Sequence, residues 1–371
     1  MKLTDVIIIG GGLAGLVNSI LLSRAGLSVR LFEKKSYPFH RVCGEYISNE
    51  VKPFLIKNDL FPSEFEPASI SKFLLTSTNG RKAELDLELG GFGISRYCFD
   101  QFLFKKAQDA GVDIQQNSTV SEIQFLNDHF EISVGQEKFS SKIAISAHGK
   151  RSKLDANLHR EFMAKKSPYI GVKYHIKTDY SDDTIALHNF NNGYCGISKV
   201  ENNTFNLCYL SHRSNLRKFQ NITDMESNVL AENPFLKTLF QESEFVFDQP
   251  LVINEISFEK KNPVENHLLM SGDAAGMITP LCGNGMAMAI HSAKILSELI
   301  IQHFSSGLVN RKQLEKEYEA QWNQNFSFRL SAGRTIQRLF GSKTTSNIGV
   351  NLAKIKPVAK RIVALTHGKE F

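Results

Sequence analysis

The chain has 371 residues, 42% of them hydrophobic, enough for one large domain or two interleaved ones with a full core. Its purely apolar runs, such as Val6 to Ile9, are far shorter than a membrane span and follow no cleavable signal pattern, so a cytoplasmic protein is expected. The net charge of +6 comes with no nucleic-acid motif, and the five cysteines have no CxxC or Cys/His spacing, so reduced thiols and no metal are expected.

The N-terminus reads as a βαβ unit. "DVIII" is a fully buried strand, "LAGLVNSILLSRAG" a helix ending near Gly26, and "SVRLFE" the second strand. Between strand and helix lies Gly10-x-Gly12-x-x-Gly15, and Glu33 closes the second strand. Gly10 allows the tight turn, Gly12 lets the backbone approach a pyrophosphate, Gly15 permits close helix packing, and the helix N-terminus supplies positive potential. Glu33 would accept hydrogen bonds from an adenosine ribose. Strand, glycines, helix and acid in this order specify a dinucleotide, either NAD or FAD.

After a loop containing Pro38, "ISKFLLTSTNGRKAELDLEL" alternates around Asn79-Gly80, a hairpin signal. A helix is predicted from about Asp100 to Ala110, strands follow from Val112 to Val134, and "KIAISA" ends that block at Ala147. The segment from Tyr169 to Leu210 is strand-rich, with a hairpin at Asn202-Asn203. Helical patterns occupy Ile222 to Phe240, Gly285 to Phe304, and Gln313 onward. The fold class is α/β: a Rossmann-like, glutathione-reductase-like nucleotide domain interrupted by an inserted antiparallel sheet, with C-terminal helices. The expected division gives 1–67, 96–160 and 255–330 to the nucleotide domain, 68–95 and 161–254 to a substrate-covering domain, and 331–371 to a basic helical tail.

"HLLMSGDAAG" decides the dinucleotide. It is a strand running into a turn, where Gly272 and Ala274 leave room for a ligand's chain and Asp273 can bind its hydroxyls. NAD has no polyol chain, whereas FAD has ribityl. "PLCGNGMAMAIHSAKIL" then starts a helix whose N–H groups at Gly283, Asn284 and Gly285 would face the N1/C2=O edge of a flavin, where negative charge develops on reduction.

The tail from Ser331 carries eight Lys/Arg and one acid. Lys354, Lys356, Lys360 and Arg361 lie among Leu352, Ile355, Val358, Ile362 and Val363, a basic amphipathic pattern. A solvated surface helix is its plainest reading, with contact to an anionic membrane or an acidic carrier as the alternative.

With these motifs on hand, the chain resembles the FAD-dependent superfamily of aromatic hydroxylases and geranylgeranyl reductases over most of its length. Gly10, Gly12, Gly15 and Glu33 fit its fingerprint, and "SGDAAG" fits its Gly-Asp motif, with Asp273 at the ribityl-binding acid. "ISRYCFDQFLFKKAQDAG" is similar to its R-x-x-L/F-D helix, which implies that Arg96 reaches the flavin nucleotide. The resemblance also implies cofactor contacts from Leu13, Ala14, Lys34, Arg41, Gly44, Val120, Gly149 and Pro280, those of Val120 being backbone contacts to adenine.

Three departures bear on function. In "AHGKRS", His148 stands where hydroxylases have the acid of an Asp-Gly pair, which argues against direct reduction by a bound nicotinamide. "RVCGEYIS" resembles the Cys-Gly-Gly loop of the reductases, with Glu45 for the second glycine, and its Gly-Glu is similar to that of flavin-dependent halogenases. "GYCGIS" lacks the Trp and Pro that both groups carry there, and Trp322 is the sole tryptophan.

Cys43 and Glu45 are the candidate catalytic residues. Cys43 reads more simply as apolar filler, and Glu45 could instead cap a helix starting near Ser48. Phe73, Phe92, Phe190 and Phe205 in the inserted sheet suit an apolar or aromatic substrate, although core packing accounts for most of them. The expected function is that of an FAD-dependent oxidoreductase acting on an apolar or aromatic small molecule, with flavin-hydroperoxide monooxygenation of an aromatic or polyketide-like molecule in front. C=C reduction of an isoprenoid or lipid and a non-catalytic electron carrier are the alternatives. NAD(P)H or a protein would supply electrons.

Overall fold

Thr4–Ile9 has parallel neighbours on both sides, Val29–Phe32 and Glu137–Ser146. Both of its faces are covered, so Val6, Ile7 and Ile8 are fully buried, and the apolar run needs no polar alternation. In the computed structural model, which describes residues 3–305, 307–337 and 342–371, this strand lies in an 8-stranded sheet. The spatial order is Val264–Glu265, Leu268–Met270, Glu137–Ser146, Thr4–Ile9, Val29–Phe32 and Asp113–Gln115, with the hairpin Val120–Leu126/His129–Val134 attached to Glu137–Ser146. Helices Leu13–Arg24, Arg96–Asp109 and Gly285–His303 pack together beside it. Arg311–Gln337 then lays Leu314, Tyr318, Trp322 and Phe326, one every fourth residue, against the last of these.

A second, 9-stranded sheet runs Glu244–Phe245, Tyr169–Lys177, Phe205–His212, Gly193–Lys199, Thr184–Phe190, Ala68–Thr76, Lys82–Gly93 and Tyr46–Ser48, with Leu251–Asn254 also on Tyr169–Lys177. It is antiparallel except where Thr184–Phe190 meets Ala68–Thr76. Both hairpins read from the sequence are present. Gly80, at φ +80°, turns the first, and Asn202 and Asn203, at +56° and +52°, turn the second. Tyr174, Tyr209 and Leu207 face helices Ile222–Val229 and Pro234–Glu242 on one side of this sheet. The opposite side looks toward the first sheet.

Five expectations are corrected. Tyr46–Ser48, expected in the nucleotide domain, pairs with Lys82–Gly93 and so belongs to the second sheet; a three-residue strand has too little period to be assigned from sequence. The helix expected from Asp100 begins at Arg96, because the Ser95 side chain accepts from Cys98 N. The helical stretch 222–240 breaks before Pro234, where Asn233 caps the second half. The tail forms Lys343–Ala353 and Lys356–Thr366 as separate helices, interrupted at Ile355 ahead of Pro357. Residues 338–341 of the expected tail, with Arg338, lie outside the described residues. Nor does the tail simply lie in solvent: Val350 and Ala353 pack against Leu75, Leu187 and Tyr194 of the second sheet.

Candidate functional site

A cavity of about 750 Å³ separates the two sheets. Of the residues singled out from the sequence as catalytic or cofactor-binding, all line it except Gly15 and Ala274. A Cβ on Gly15 would stand 1.9 Å from the Gly10 carbonyl oxygen, so this glycine lets the first helix rest on the turn before it. Gly10 has φ +99°, and its own Cβ would meet the Ala147 carbonyl oxygen at 2.5 Å. Gly12 is different: a side chain there would meet only Arg96 Nη2, at 3.6 Å, so its α-carbon faces the cavity.

The Gly-Asp motif arrives at the same place. Asn18 Nδ2 donates to Ser271 Oγ at 3.1 Å, across 253 residues of sequence, and a Cβ on Gly272 would be 3.0 Å from that of Ala14. Gly272 N donates to Ser292 Oγ, which ties the turn to the helix Gly285–His303. Gly283, at φ +63°, and Gly285 put the start of that helix on the cavity wall. Asp273 lines the cavity beside them. Burial raises its carboxyl pKa, against the pull of Lys261, Arg96 and Lys150, and among the described residues no group hydrogen-bonds its carboxylate. An acceptor in a cradle of small side chains, near a helix N-terminus that has no side-chain cap, fits a polyol and a pyrophosphate.

The arginines are held in place by buried acids. Arg96 donates to both oxygens of Asp100, at 2.6 and 2.8 Å, and Arg41 Nε donates to the same carboxylate at 2.8 Å. Glu33 Oε2 accepts from Gly11 N at 2.8 Å and from Arg41 at 3.3 Å, and Oε1 accepts from Lys35 N. Its carboxylate therefore fixes the glycine turn and keeps acceptor capacity for a ribose. Lys34, Val120 and Gly149 line this same end.

Glu45 caps a helix, but not the one expected. Ser48 caps the short turn at Asn49–Val51, whereas Glu45 Oε1 accepts from Arg96 N at 2.7 Å. The same carboxylate takes the Lys173 ammonium, and its Oε2 lies 2.7 Å from His175 Nε2, which must carry the hydrogen because a carboxylate only accepts. Burial pushes the Glu45 pKa up, but Lys173 and His175 outweigh it and bring it to about 2. Glu45 and Lys173 are both sealed from water. His40 packs edge-on to His175 with ring centroids 5.2 Å apart, and burial, Lys173 and His175 bring its pKa down to about 4.

Sequence reasoning missed Lys173 and His175. The signal was present, since in "GVKYHIK" they share one face of an otherwise apolar strand with Gly171. It also missed Asp155 and Arg160. Asp155 accepts from Arg160 at 2.9 Å and from His148 Nε2 at 2.9 Å, while Arg160 donates to the Ala274 carbonyl oxygen at 2.9 Å. His148 thus braces the Gly-Asp turn through Asp155 and Arg160.

Cys43 and Cys208 line the cavity. Burial raises the Cys43 pKa and pushes Cys208 to about 12, so both stay protonated thiols. Away from the nucleotide end the lining is mostly apolar. Phe73, Leu75, Leu85 and Leu87 come from the first hairpin, Ile185 and Leu187 from the neighbouring strand, and Leu352, Ile362 and Leu365 from the tail. Of the four phenylalanines considered from sequence, Phe73 alone faces the cavity, and Phe92, Phe190 and Phe205 are buried in the cores.

Two remote loops converge on one cleft beside Asp273 and a helix N-terminus, and the chain is an FAD-dependent oxidoreductase of mixed α/β fold. The chain belongs to the FAD binding domain family, which matches residues 3–320. A digeranylgeranylglycerophospholipid reductase from Methanosarcina acetivorans is 25% identical over 354 residues, covering 91% of this chain and 84% of the relative. A geranylgeranyl bacteriochlorophyll reductase-like protein from Thermoplasma acidophilum shares the fold with TM-score 0.79 and 18% identity, over 98% of this chain and 96% of the other. A halogenase in complex with phloroglucinol and FAD does so with TM-score 0.74 and 17% identity, over 98% and 84%.

Proposed function

We propose that the chain reduces C=C bonds of a long apolar, isoprenoid-like lipid. The observation that carries this reading is the cavity wall beyond the nucleotide end, built by aliphatic side chains of the second sheet and the tail helices. The curated relative's printed name, a reductase of a digeranylgeranyl lipid, supports the same class. Bound FAD supplies hydride chemistry in such a site.

The protein's own residues position and insulate. Asp273 and the two helix N-termini hold the cofactor's polar chain, and the Arg41–Asp100–Arg96 group fixes the nucleotide end. The sheet and tail side chains exclude water from the apolar end. Cys43 presents a protonated thiol to the cavity, and the Glu45–Lys173–His175 cluster behind it keeps charge and protons next to this wall. Lys34, Lys150 and Arg151 line the nucleotide end, where NAD(P)H or an acidic protein donor would approach. A cytoplasmic location goes with this reading.

Monooxygenation is the second reading, favoured by the missing Trp and Pro in the strand Gly193–Lys199. One experiment separates the two. Photoreduced enzyme is mixed anaerobically with a polyprenyl lipid, then in parallel with an aromatic substrate and oxygen, and products are read by mass spectrometry. Reduction predicts flavin reoxidation without oxygen and a lipid that has gained hydrogen. An oxygenated product, formed only in the aerobic arm, would replace it with monooxygenation. Stable reduced flavin and no product in either arm would leave the electron-carrier reading.

A further inference from the structure

The tail helix Lys343–Ala353 has a second apolar face that the sheet does not cover. Val350 and Ala353 are buried on the sheet, but Ile348 is 52% exposed, Leu352 37% and Ile355, just past the helix, 51%. A spacing of four puts Ile348 and Leu352 in a stripe on one helix face, and Ile355 follows at the turn just past its end. Around this stripe are the exposed cations Lys343, Lys354, Lys356 and Arg361, none of which makes an ion pair among the described residues; Lys360 is held by Glu88. Leu352 belongs to both surfaces, because it also lines the cavity.

We propose that this stripe docks on an anionic phospholipid bilayer, with the apolar cavity opening toward the membrane beside Leu352. Aliphatic side chains flanked by uncompensated lysines match the apolar boundary and negative surface of such a bilayer together. An acidic protein would answer the cations and leave the aliphatic stripe unexplained. Among the described residues no helix is long and apolar enough to cross a membrane, so the contact is peripheral. The inference deepens the apolar-lipid reading and rests on it for the identity of what passes through the opening.

The test uses FAD-loaded protein sedimented with vesicles of phosphatidylcholine alone or mixed with phosphatidylglycerol. Binding to the phosphatidylglycerol vesicles is expected to be about tenfold stronger or more and to weaken with salt. Lys354→Glu/Lys356→Glu and, separately, Ile348→Ser/Ile355→Ser are expected to lower it by about tenfold at unchanged flavin content. Trp322 is the sole tryptophan and is buried, so Ile348→Trp gives an independent readout: its emission should shift to the blue on phosphatidylglycerol vesicles. Equal binding to both vesicles, variants that bind like the parent, an unshifted emission, or capture by an acidic protein in place of vesicles would overturn the proposal. These vesicles contain no reducible lipid. Docking is therefore read apart from turnover: protein that docks but reduces no detergent-dispersed polyprenyl lipid would count against the reductase reading alone, and turnover of that dispersed lipid by protein that ignores vesicles would count against docking alone.

Discussion

Glu45 carries the most demanding local chemistry in the molecule. Its backbone sits at φ +53°, a left-handed conformation costing about 1–2 kcal/mol, and its carboxylate is removed from water. What holds it there is a set of donors, the Lys173 ammonium foremost. Lys173→Ala should therefore destabilise the protein by about 3–5 kcal/mol in urea unfolding, because a buried charge loses its partner. Glu45→Gln combined with Lys173→Met should recover much of that loss, and a double variant as weak as the single one would contradict the pairing. Glu226 has the opposite sign. Burial brings its pKa to about 7, despite hydrogen bonds from Tyr209 at 2.7 Å and Tyr174 at 3.0 Å. The folded state thus holds this proton more tightly than the unfolded chain, whose value is 4.5. Its contribution is complete below that value and is lost as pH rises through about 7, on the order of 3 kcal/mol. Glu226→Gln should flatten the fall in unfolding free energy between about pH 5 and pH 8, and an unchanged slope would show that the group is not buried as described.

Among the elements, the N-terminal βαβ unit was legible because three signals coincide there: an unbroken apolar strand, the glycine spacing and a terminal acid. Its helix depends on one absent methyl group. Gly15→Ala puts a Cβ where the Gly10 carbonyl oxygen already lies, so the helix must move off the turn. The expected cost is about 1–3 kcal/mol in thermal melting, together with weaker FAD binding, and a variant matching the parent in both would contradict this packing. Other elements were less legible for identifiable reasons. Tyr46–Ser48 is too short to show a period, and its partner is contributed by a hairpin in a separate part of the chain. In the tail, one amphipathic pattern hid the break ahead of Pro357, and such a pattern reveals an apolar face without revealing what covers it. The sheet side chains Leu75, Leu187 and Tyr194 supply that cover.

At the scale of the whole molecule, the cofactor end was read from sequence because glycine turns and a lone acid leave local signatures. The opposite end was not, since it is assembled by pairing between distant segments. Glu45 stood out in its loop, whereas Lys173 and His175 lie about 130 residues away and reach it through the second sheet. Asp155 and Arg160 likewise act on Ala274 from a distant helix and loop, where Ser152 and Asp155 signal only a helix start. For the protein to work as proposed, the Gly12 turn and the Gly272–Asp273 turn must hold one FAD between them. The dissociation constant of FAD for Asp273→Ala, measured by flavin titration of the apoprotein beside the parent, tests this most directly. Loss of hydrogen bonds from a polyol to a charged acceptor predicts binding weaker by about ten- to a hundredfold. Parental affinity in the variant, or no flavin binding by the parent, would contradict it.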